Sequence, residues 1–205
     1  MNQAVTDGVR WTTTDIDLLP DNEGTRYEIV DGELFMTRAP HWRHQRTCGR
    51  IFRELDSWSE SSGLGEASIT PGVLFTESDN VMPDVVWASN ERLAVLLDEA
   101  GHLTGAPELA VEVLSPGVDQ ERRDREAKLK LYSSRGVQEY WIADWRVQQV
   151  EVYRRETANA ESCDDAREIR FGSSHGDFSH LLPSHKGFLH HIFCINHTAK
   201  HSVGN

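Results

Sequence analysis

Hydrophobic residues follow two different spacings along this chain, and each spacing predicts its own kind of secondary structure. Between positions 41 and 60 they recur at steps of three and four residues. This spacing places them on one face of an amphipathic helix, and Gly63 is a suitable stop because glycine tolerates the left-handed conformation at a helix end. The apolar residues of this face are Cys48, Ile51, Phe52, Leu55 and Trp58.

Short apolar runs bounded by turn residues predict strands in the rest of the chain. Asp31-Gly32 joins residues 26–30 to residues 33–36, and such a pair favours a type I′ hairpin turn. Further strands are predicted at 82–87, 108–114, 138–144, 148–154 and 167–171, with an extended segment at 66–76 that Pro71-Gly72 interrupts and a loop at 156–166. Further helices are predicted at 12–20, 90–99 and 120–135, the last with Asp119 as its N-cap and Gly136 past its end. Helices that alternate with central strands indicate an α/β or α+β fold.

The composition excludes several classes of protein. The chain has 205 residues, 38% hydrophobic and 26% charged, which suits one globular domain. No apolar run approaches the ~18–20 residues of a membrane span, and the N-terminus lacks the apolar core of a secretory signal. The three cysteines are scattered without a CxxC pair, which disfavours a disulfide framework or a zinc knuckle. We therefore expect a cytoplasmic protein with no membrane partner.

The charge is acidic overall but unevenly distributed. A net charge of −12 argues against a passive coat for nucleic acid, because such coats bind through spread basic charge. The negative net charge is compatible with an enzyme that contacts phosphates through a few local cations and a metal. The two locally basic stretches, 41–60 and 121–135, are both predicted helices. Together they would form a cationic rim; the alternative is two solvated helix faces.

Two of the predicted strands each carry one acid among apolar residues. These acids are Asp84, in 82–87, and Glu112, in 108–114. An ionised carboxylate is costly there unless it is paired, hydrogen-bonded or bound to a metal. Two of them on neighbouring strands would repel unless a divalent cation lay between them, and hard oxygen ligands suit Mg²⁺. The alternative is that each acid pairs with an arginine or lies at the wet edge of a sheet.

Lys128 is the third candidate, on the helix that follows Glu112. Asp124 and Lys128 stand four residues apart on one helix face, with Tyr132 one turn further. The lysine would lie over the two acids, where it could orient or help deprotonate a water or stabilise charge developing on phosphorus. The alternative is a helix-surface salt bridge with Asp124, worth only ~0.3–0.5 kcal/mol.

Several short motifs occur in a fixed order along the chain. They are residues 27–34 (YEIVDGEL), Ala39-Pro40 with His44-Gln45, residues 83–86 (PDVV), 107–116 (PELAVEVLSP), 128–132 (KLKLY) and 136–142 (GVQEYWI). In this order they resemble the Uma-type family of restriction-endonuclease-like proteins, within the PD-(D/E)XK nuclease superfamily. The resemblance runs from about residue 12 to residue 195. We expect one domain over 1–205, with flexible tails at 1–11 and 196–205.

The resemblance implies a restriction-endonuclease-like core, in which helices flank a central mixed β-sheet and the site lies at one end of that sheet. Asp84 takes the place of the PD aspartate, and Glu112 takes that of the acid in (D/E)XK. The usual lysine two residues later is absent because position 114 is a leucine. The resemblance assigns its role to Lys128 on the following helix.

Two further positions come from the same resemblance. Glu28 matches a family acid that would complete the metal shell, with Glu33 as a second candidate, and both could instead be hairpin-surface charges. His44 matches a family histidine at the start of the first long helix. There it would either contact substrate or stand exposed to solvent.

The predicted function is metal-dependent endonuclease cleavage of phosphodiester bonds in DNA. Asp84 and Glu112 would hold Mg²⁺, with Mn²⁺ as a second candidate, and Lys128 would position the attacking water. Double-strand cutting would favour a homodimer that presents two sites. One alternative is a catalytically silent binding or assembly module with the nuclease fold. Another is a carboxylate-pair enzyme acting on sugars, which apolar strands with an associated lysine suit poorly.

Overall fold

The computed structural model describes residues 8–20, 24–155 and, for the backbone alone, 171–173. The predicted loop at 156–166 lies outside these residues, as does most of the strand predicted at 167–171. Within the described part, no helix combines the length and the apolar character needed to cross a membrane.

A six-stranded mixed sheet forms the centre of the fold. Its strand order is β10-β9-β8-β7-β6-β3. The pair β7·β8 is parallel and the other neighbours are antiparallel. The strands are β3 (Gly65–Ile69), β6 (Val85–Ser89), β7 (Leu109–Val113), β8 (Glu139–Asp144), β9 (Gln149–Arg155) and β10 (Phe171–Ser173). This confirms the predicted mixed α/β fold with a central sheet.

A second sheet, which the sequence pattern did not predict, has the order β2-β1-β5-β4. Its strands are β1 (Arg26–Val30), β2 (Glu33–Thr37), β4 (Val73–Thr76) and β5 (Asp79–Val81). The predicted hairpin is confirmed, since Asp31 and Gly32 have φ of 49° and 72°. The predicted segment 66–76 divides between the two sheets, because the chain turns at Thr70, where φ is 54°. β5 has only three residues, too few to give a hydrophobic period.

In the described part of the chain, helices lie before and between the strands. They are α1 (Thr13–Ile16), α2 (Trp42–Ser62), α3 (Asn90–Leu96), α4 (Val118–Arg122), a π-helical segment (Arg123–Lys128) and α5 (Leu129–Arg135). α2 ends as predicted, at Gly63 with φ 68°. Asp119 as the N-cap of the later helix is wrong. The cap is Gly117, whose φ of 144° suits only glycine, so the helix begins one residue before Asp119.

The two faces of β7 contact different parts of the core. Val111 and Val113 pack in a cluster with α2 residues, whereas Ala110 and Leu114 pack in a cluster with α5 residues. Side chains alternate along a strand, so Glu112 faces the side of Ala110 and Leu114. The carboxylate therefore points toward the helical crossover between β7 and β8.

Candidate active site

Strand register brings Asp84 and Glu112 together. In the antiparallel pair β6·β7, Val85 lies opposite Val111 and Val86 opposite Ala110. One further step along the ladder sets Asp84 opposite Glu112, a separation at which side chains interact directly. Asp84 lies just before β6 rather than inside a strand, and its Oδ2 accepts a hydrogen bond of 2.8 Å from the Val113 backbone N–H. β7 thus fixes both acids.

The amine of Lys128 lies between two carboxylates. Its Nζ donates to Oε1 of Glu28 and to Oε1 of Glu112, each at 2.8 Å. The hydroxyl of Tyr132 also donates to Oε1 of Glu112, at 2.9 Å. Lys128 is 1% exposed, so the surface salt bridge with Asp124 considered from the sequence is wrong. The hypothesis that Lys128 reaches the acids is the one the contacts favour.

Lys128 is the last residue of the π-helical segment. A π turn is wider than an α turn and occurs frequently at functional sites. Asp124, in the same segment, is 2% exposed, and its backbone oxygen accepts a hydrogen bond of 2.9 Å from the Tyr140 hydroxyl. The segment therefore turns two charged side chains, four residues apart, toward the sheet. Sequence reasoning missed the burial of Asp124, although its four-residue spacing from Lys128 was a usable signal.

Glu28, on β1, joins the site from the second sheet. Its Oε1 also accepts from the Met82 backbone N–H at 2.9 Å, and its Oε2 lies 3.6 Å from a guanidinium nitrogen of Arg123. Glu33, the second candidate, is exposed on β2 and forms no hydrogen bond or ion pair with any described site residue. Of the two hairpin acids, Glu28 therefore belongs to the site, whereas Glu33 lies outside it.

His44 is buried rather than exposed, with 5% of its surface accessible. The solvent-exposed alternative is wrong because α2 begins at Trp42 and its first turn directs His44 inward. Nε2 of His44 lies 3.2 Å from Oδ2 of Asp84, and Nδ1 lies 3.5 Å from the thiol of Cys48. His44, Cys48 and Asp84 offer ligand atoms within 4.8 Å of one another. The histidine therefore orients Asp84 from the α2 side.

The electrostatics fix the protonation of Lys128. Burial lowers the pKa of its amine, but the adjacent carboxylates of Glu112 and Glu28 outweigh burial and raise the pKa above its usual value. Lys128 thus carries its proton at neutral pH. A general-base role, which sequence reasoning left open, does not suit a permanently charged amine.

The acids differ in their tendency to ionise. Burial raises the pKa of Glu112, and the charges of Asp124, Asp84 and Glu28 raise it further, against the opposing effect of Lys128. Burial also raises the pKa of Asp124. For Asp84, burial is outweighed by the hydrogen bond and charge of His44 and by the Val113 N–H, so the pKa is lowered. Of these three acids, Asp84 is the most readily ionised.

A pocket opens on this cluster. Its lining includes three of the acids (Glu28, Asp84 and Asp124) together with His44 and the arginines Arg26, Arg38 and Arg123. Glu112 and Lys128 lie behind the lining and connect to it through Glu28.

Some carboxylate oxygens of the site keep free lone pairs. Within the described residues, Oδ1 of Asp84 and Oε2 of Glu112 accept no hydrogen bond. Carboxylate oxygens with free lone pairs are the ligands that hard divalent cations prefer. The free carboxylate oxygens of Asp84 and Glu112 therefore suit a hard divalent cation.

The fold and this cluster define a nuclease-like protein. A solved structure, a "putative nuclease belonging to DUF820" from Anabaena variabilis, superposes with a TM-score of 0.62 at 19% identity, over 88% of this chain and 98% of that chain. The Uma2 family, described as "putative restriction endonuclease", matches residues 13–173. The chain belongs to this family, as its motifs suggested. No curated protein matches the chain.

Proposed function

We propose that this protein is a metal-dependent endonuclease that hydrolyses phosphodiester bonds in DNA. The family and the fold support a nuclease; the DNA substrate, the ion and the residue roles are the finer parts of the proposal. The observation that carries it is the buried amine of Lys128 between Glu28 and Glu112, with Asp84 opposite Glu112. Two acids and an amine at one end of a central sheet are the parts that phosphodiester hydrolysis requires.

A divalent cation suits the charge balance of the cluster. Four buried carboxyl groups, two of them with raised pKa values, stand against two full cations, Lys128 and Arg123, so a doubly charged ion would favour their ionised forms. These carboxylates are Glu28, Asp84, Glu112 and Asp124. Asp84 and Glu112 would hold the ion, and their hard oxygens favour Mg²⁺, with Mn²⁺ as the second candidate. When bound, such an ion polarises a phosphate oxygen and makes a water more acidic.

The protein's own groups would position the reactants and stabilise charge. Lys128, fixed as a cation, donates hydrogen bonds and would stabilise the negative charge that develops on the phosphate. Glu28 shares the amine and holds it in place. His44 and the Val113 N–H hold Asp84 by one oxygen and leave its other oxygen for the ion.

Cleavage of plasmid DNA in the presence of Mg²⁺ tests the proposal. Asp84→Asn keeps the shape of the side chain but removes its charge, so we expect at least a roughly hundredfold loss of rate. Arg53→Ala, which removes an exposed arginine paired with Glu54, is the control and should cleave normally. Circular dichroism would verify that both variants fold. Full metal-dependent cleavage by Asp84→Asn would contradict the assignment.

The catalytically silent alternative is separated by a binding measurement. Calorimetry with Mg²⁺ or Mn²⁺ on the full chain should show binding that Asp84→Asn and Glu112→Gln both weaken. A folded protein that binds neither ion at millimolar concentration and cleaves no DNA would support a binding or assembly module instead.

A further inference from the structure

Four arginines near the pocket differ from most others in the described chain. Nine arginines, at positions 10, 53, 92, 122, 123, 125, 135, 146 and 154, form ion pairs. Arg26, Arg38, Arg43 and Arg46 have no ion pair or side-chain hydrogen bond with any described residue. All four lie between the start of β1 and the first turns of α2. Within the described residues, no acid neutralises the charges of these four arginines.

The positions of the four unpaired arginines correct the expectation of a cationic rim formed by the stretches 41–60 and 121–135. In the stretch 121–135 the arginines and Lys128 are neutralised by acids, among them Glu28, Glu126 and Glu151. The unpaired arginines lie instead at the start of β1, just past β2 and on α2, and Arg26 and Arg38 line the same pocket as Asp84. A guanidinium without a protein partner binds phosphate oxygens in a planar, two-pronged geometry. On a chain of net charge −12, such local cations are where a polyanion would contact the surface.

Aromatic rings lie beside these arginines. The ring of His41 stacks on Trp145 with centroids 5.0 Å apart and planes 2° apart, and Arg43 lies 5.9 Å from the centre of the Trp145 ring. Trp145 is anchored by its N–H, which donates to the Leu114 carbonyl at 3.1 Å. His41 remains exposed.

Trp42 is the second aromatic feature of this surface. It is 77% exposed, unusual for an indole, since most tryptophans are largely buried. Pro40 and His44, two residues to either side in sequence, both line the pocket. A flat exposed ring beside free arginines is the combination on which unpaired bases stack in single-strand binding proteins.

The reactive groups are recessed. Asp84, Glu112 and Lys128 are only 7%, 4% and 1% exposed. Duplex DNA is stiff, with a persistence length of about 50 nm, and holds its phosphates on a smooth outer surface with its bases stacked inside. A single strand can bend its backbone into a pocket and leave its bases free to stack.

From these observations we propose that the pocket takes single-stranded DNA or an unpaired DNA segment. Arg26 and Arg38 hold phosphates at the mouth, and the exposed rings of Trp42 and His41 stack on unpaired bases. The inference rests on the proposed function in one respect, that the pocket is where a phosphodiester is held. It adds the strand form of the substrate and the residues that select it.

Binding without cleavage tests the inference on the full chain. Fluorescence anisotropy in EDTA would compare a short labelled oligodeoxynucleotide of mixed sequence with the same oligonucleotide annealed to its complement. We expect tighter binding of the single strand. Equal affinity for the two forms, tighter binding of the duplex or no binding of either would overturn the inference.

Two variants separate stacking from charge. Trp42→Ala should weaken single-strand binding by roughly fivefold to a hundredfold, the range for one base–aromatic stack, with little effect on the duplex. Val95→Ala, which shortens a residue 79% exposed on α3, is the matched control and should bind normally. Arg38→Ala should weaken both forms and lower the salt dependence of single-strand binding by about 0.7 in log–log slope; Arg53→Ala should change neither.

The proposed function and this inference fail in different ways. Loss of cleavage in Asp84→Asn with unchanged strand preference would support both. If the protein cleaves DNA but Trp42→Ala binds single strands as the wild type does, the stacking surface is wrong and the nuclease assignment stands. If it binds single strands through Trp42 but never cleaves, the nuclease assignment fails and the binding surface stands.

Discussion

Two sets of buried acids in this protein are built differently. Asp79, Glu108 and Glu139 each have their own arginine, and both oxygens of each carboxylate accept hydrogen bonds. For Glu108, Ser89 bonds both oxygens while Arg92 lies 2.8 Å away. These acids tie loops and strands together, and each of their carboxylate oxygens already has a hydrogen-bond partner among the described residues.

The carboxylates of the candidate site have a less complete set of hydrogen-bond partners. Glu28 and Glu112 share the one amine of Lys128, while Asp84 and Glu112 each keep one oxygen without a hydrogen bond from a described residue. A buried charge that is only partly compensated destabilises the fold. Under the proposed function, a bound divalent ion would complete the compensation of these charges. The following changes test that contrast.

The largest effect is expected for Lys128→Met. The variant removes the shared cation and leaves Glu28 and Glu112 facing each other in a dry environment. We expect about 3–5 kcal/mol lower free energy of unfolding, as for other broken buried pairs, together with a roughly hundred- to thousandfold lower cleavage rate. Urea denaturation and the plasmid assay measure the two losses. Normal cleavage by a folded Lys128→Met protein would count against the amine's proposed role.

Arg92→Leu makes the corresponding change in the structural set. It removes the arginine of Glu108, which keeps its hydrogen bonds from Ser89. We expect about 1–3 kcal/mol of destabilisation and an unchanged cleavage rate at a temperature where the variant is folded. A loss of cleavage as large as that of Lys128→Met would show that the two sets of acids do not differ in function.

The smallest effect is expected for Glu112→Gln, and its sign is opposite. The pKa of Glu112 is raised in the folded protein. Above its usual value of 4.5, the unfolded chain releases a proton that the folded protein still binds, so the contribution of Glu112 to stability falls as pH rises. We expect Glu112→Gln to be more stable than the wild type at neutral pH, while cleaving poorly.

The pH dependence supplies the check on that prediction. The stability difference between Glu112→Gln and the wild type should shrink as pH is lowered toward 4.5. Glu112 then becomes neutral in the unfolded chain as well as in the folded protein, as the glutamine is at every pH. Denaturation curves at several pH values measure it. A difference that grows on acidification would mean that the carboxylate of Glu112 is stabilising, as in the structural set.

The parts of the fold with a long hydrophobic period were predictable. The twenty-one residues of α2 present one apolar face, and the hairpin turn at Asp31-Gly32 follows from the left-handed backbone that these residues tolerate. The second sheet was not predictable, because β5 is short and pairs with β1 across a distant part of the chain. The hydrophobic pattern of a short segment does not show which distant strand it pairs with.

The site was predictable in part. An acid within an apolar strand is costly, and this cost identified Asp84 and Glu112. Helix spacing and the family motifs both indicated Lys128, and the motifs alone supplied Glu28 and His44. The burial of His44 was not visible, because it depends on which helix face meets the sheet, and for Asp124 the only signal was its four-residue spacing from Lys128. The π turn before Lys128 changes which side of the helix meets the sheet, and the spacing of hydrophobic residues does not reveal that change.

Glu28 and Lys128 are 100 residues apart in the chain, and Glu112 comes from a third segment. The reactive cluster therefore exists only once the hairpin, the central sheet and the crossover helix have docked on one another. During synthesis a growing polypeptide lacks the lysine until late, and a partly folded one lacks its carboxylate partners. Under the proposed function, such a distributed assembly would keep unfinished copies of the protein from attacking the nucleic acids of the cell that makes them.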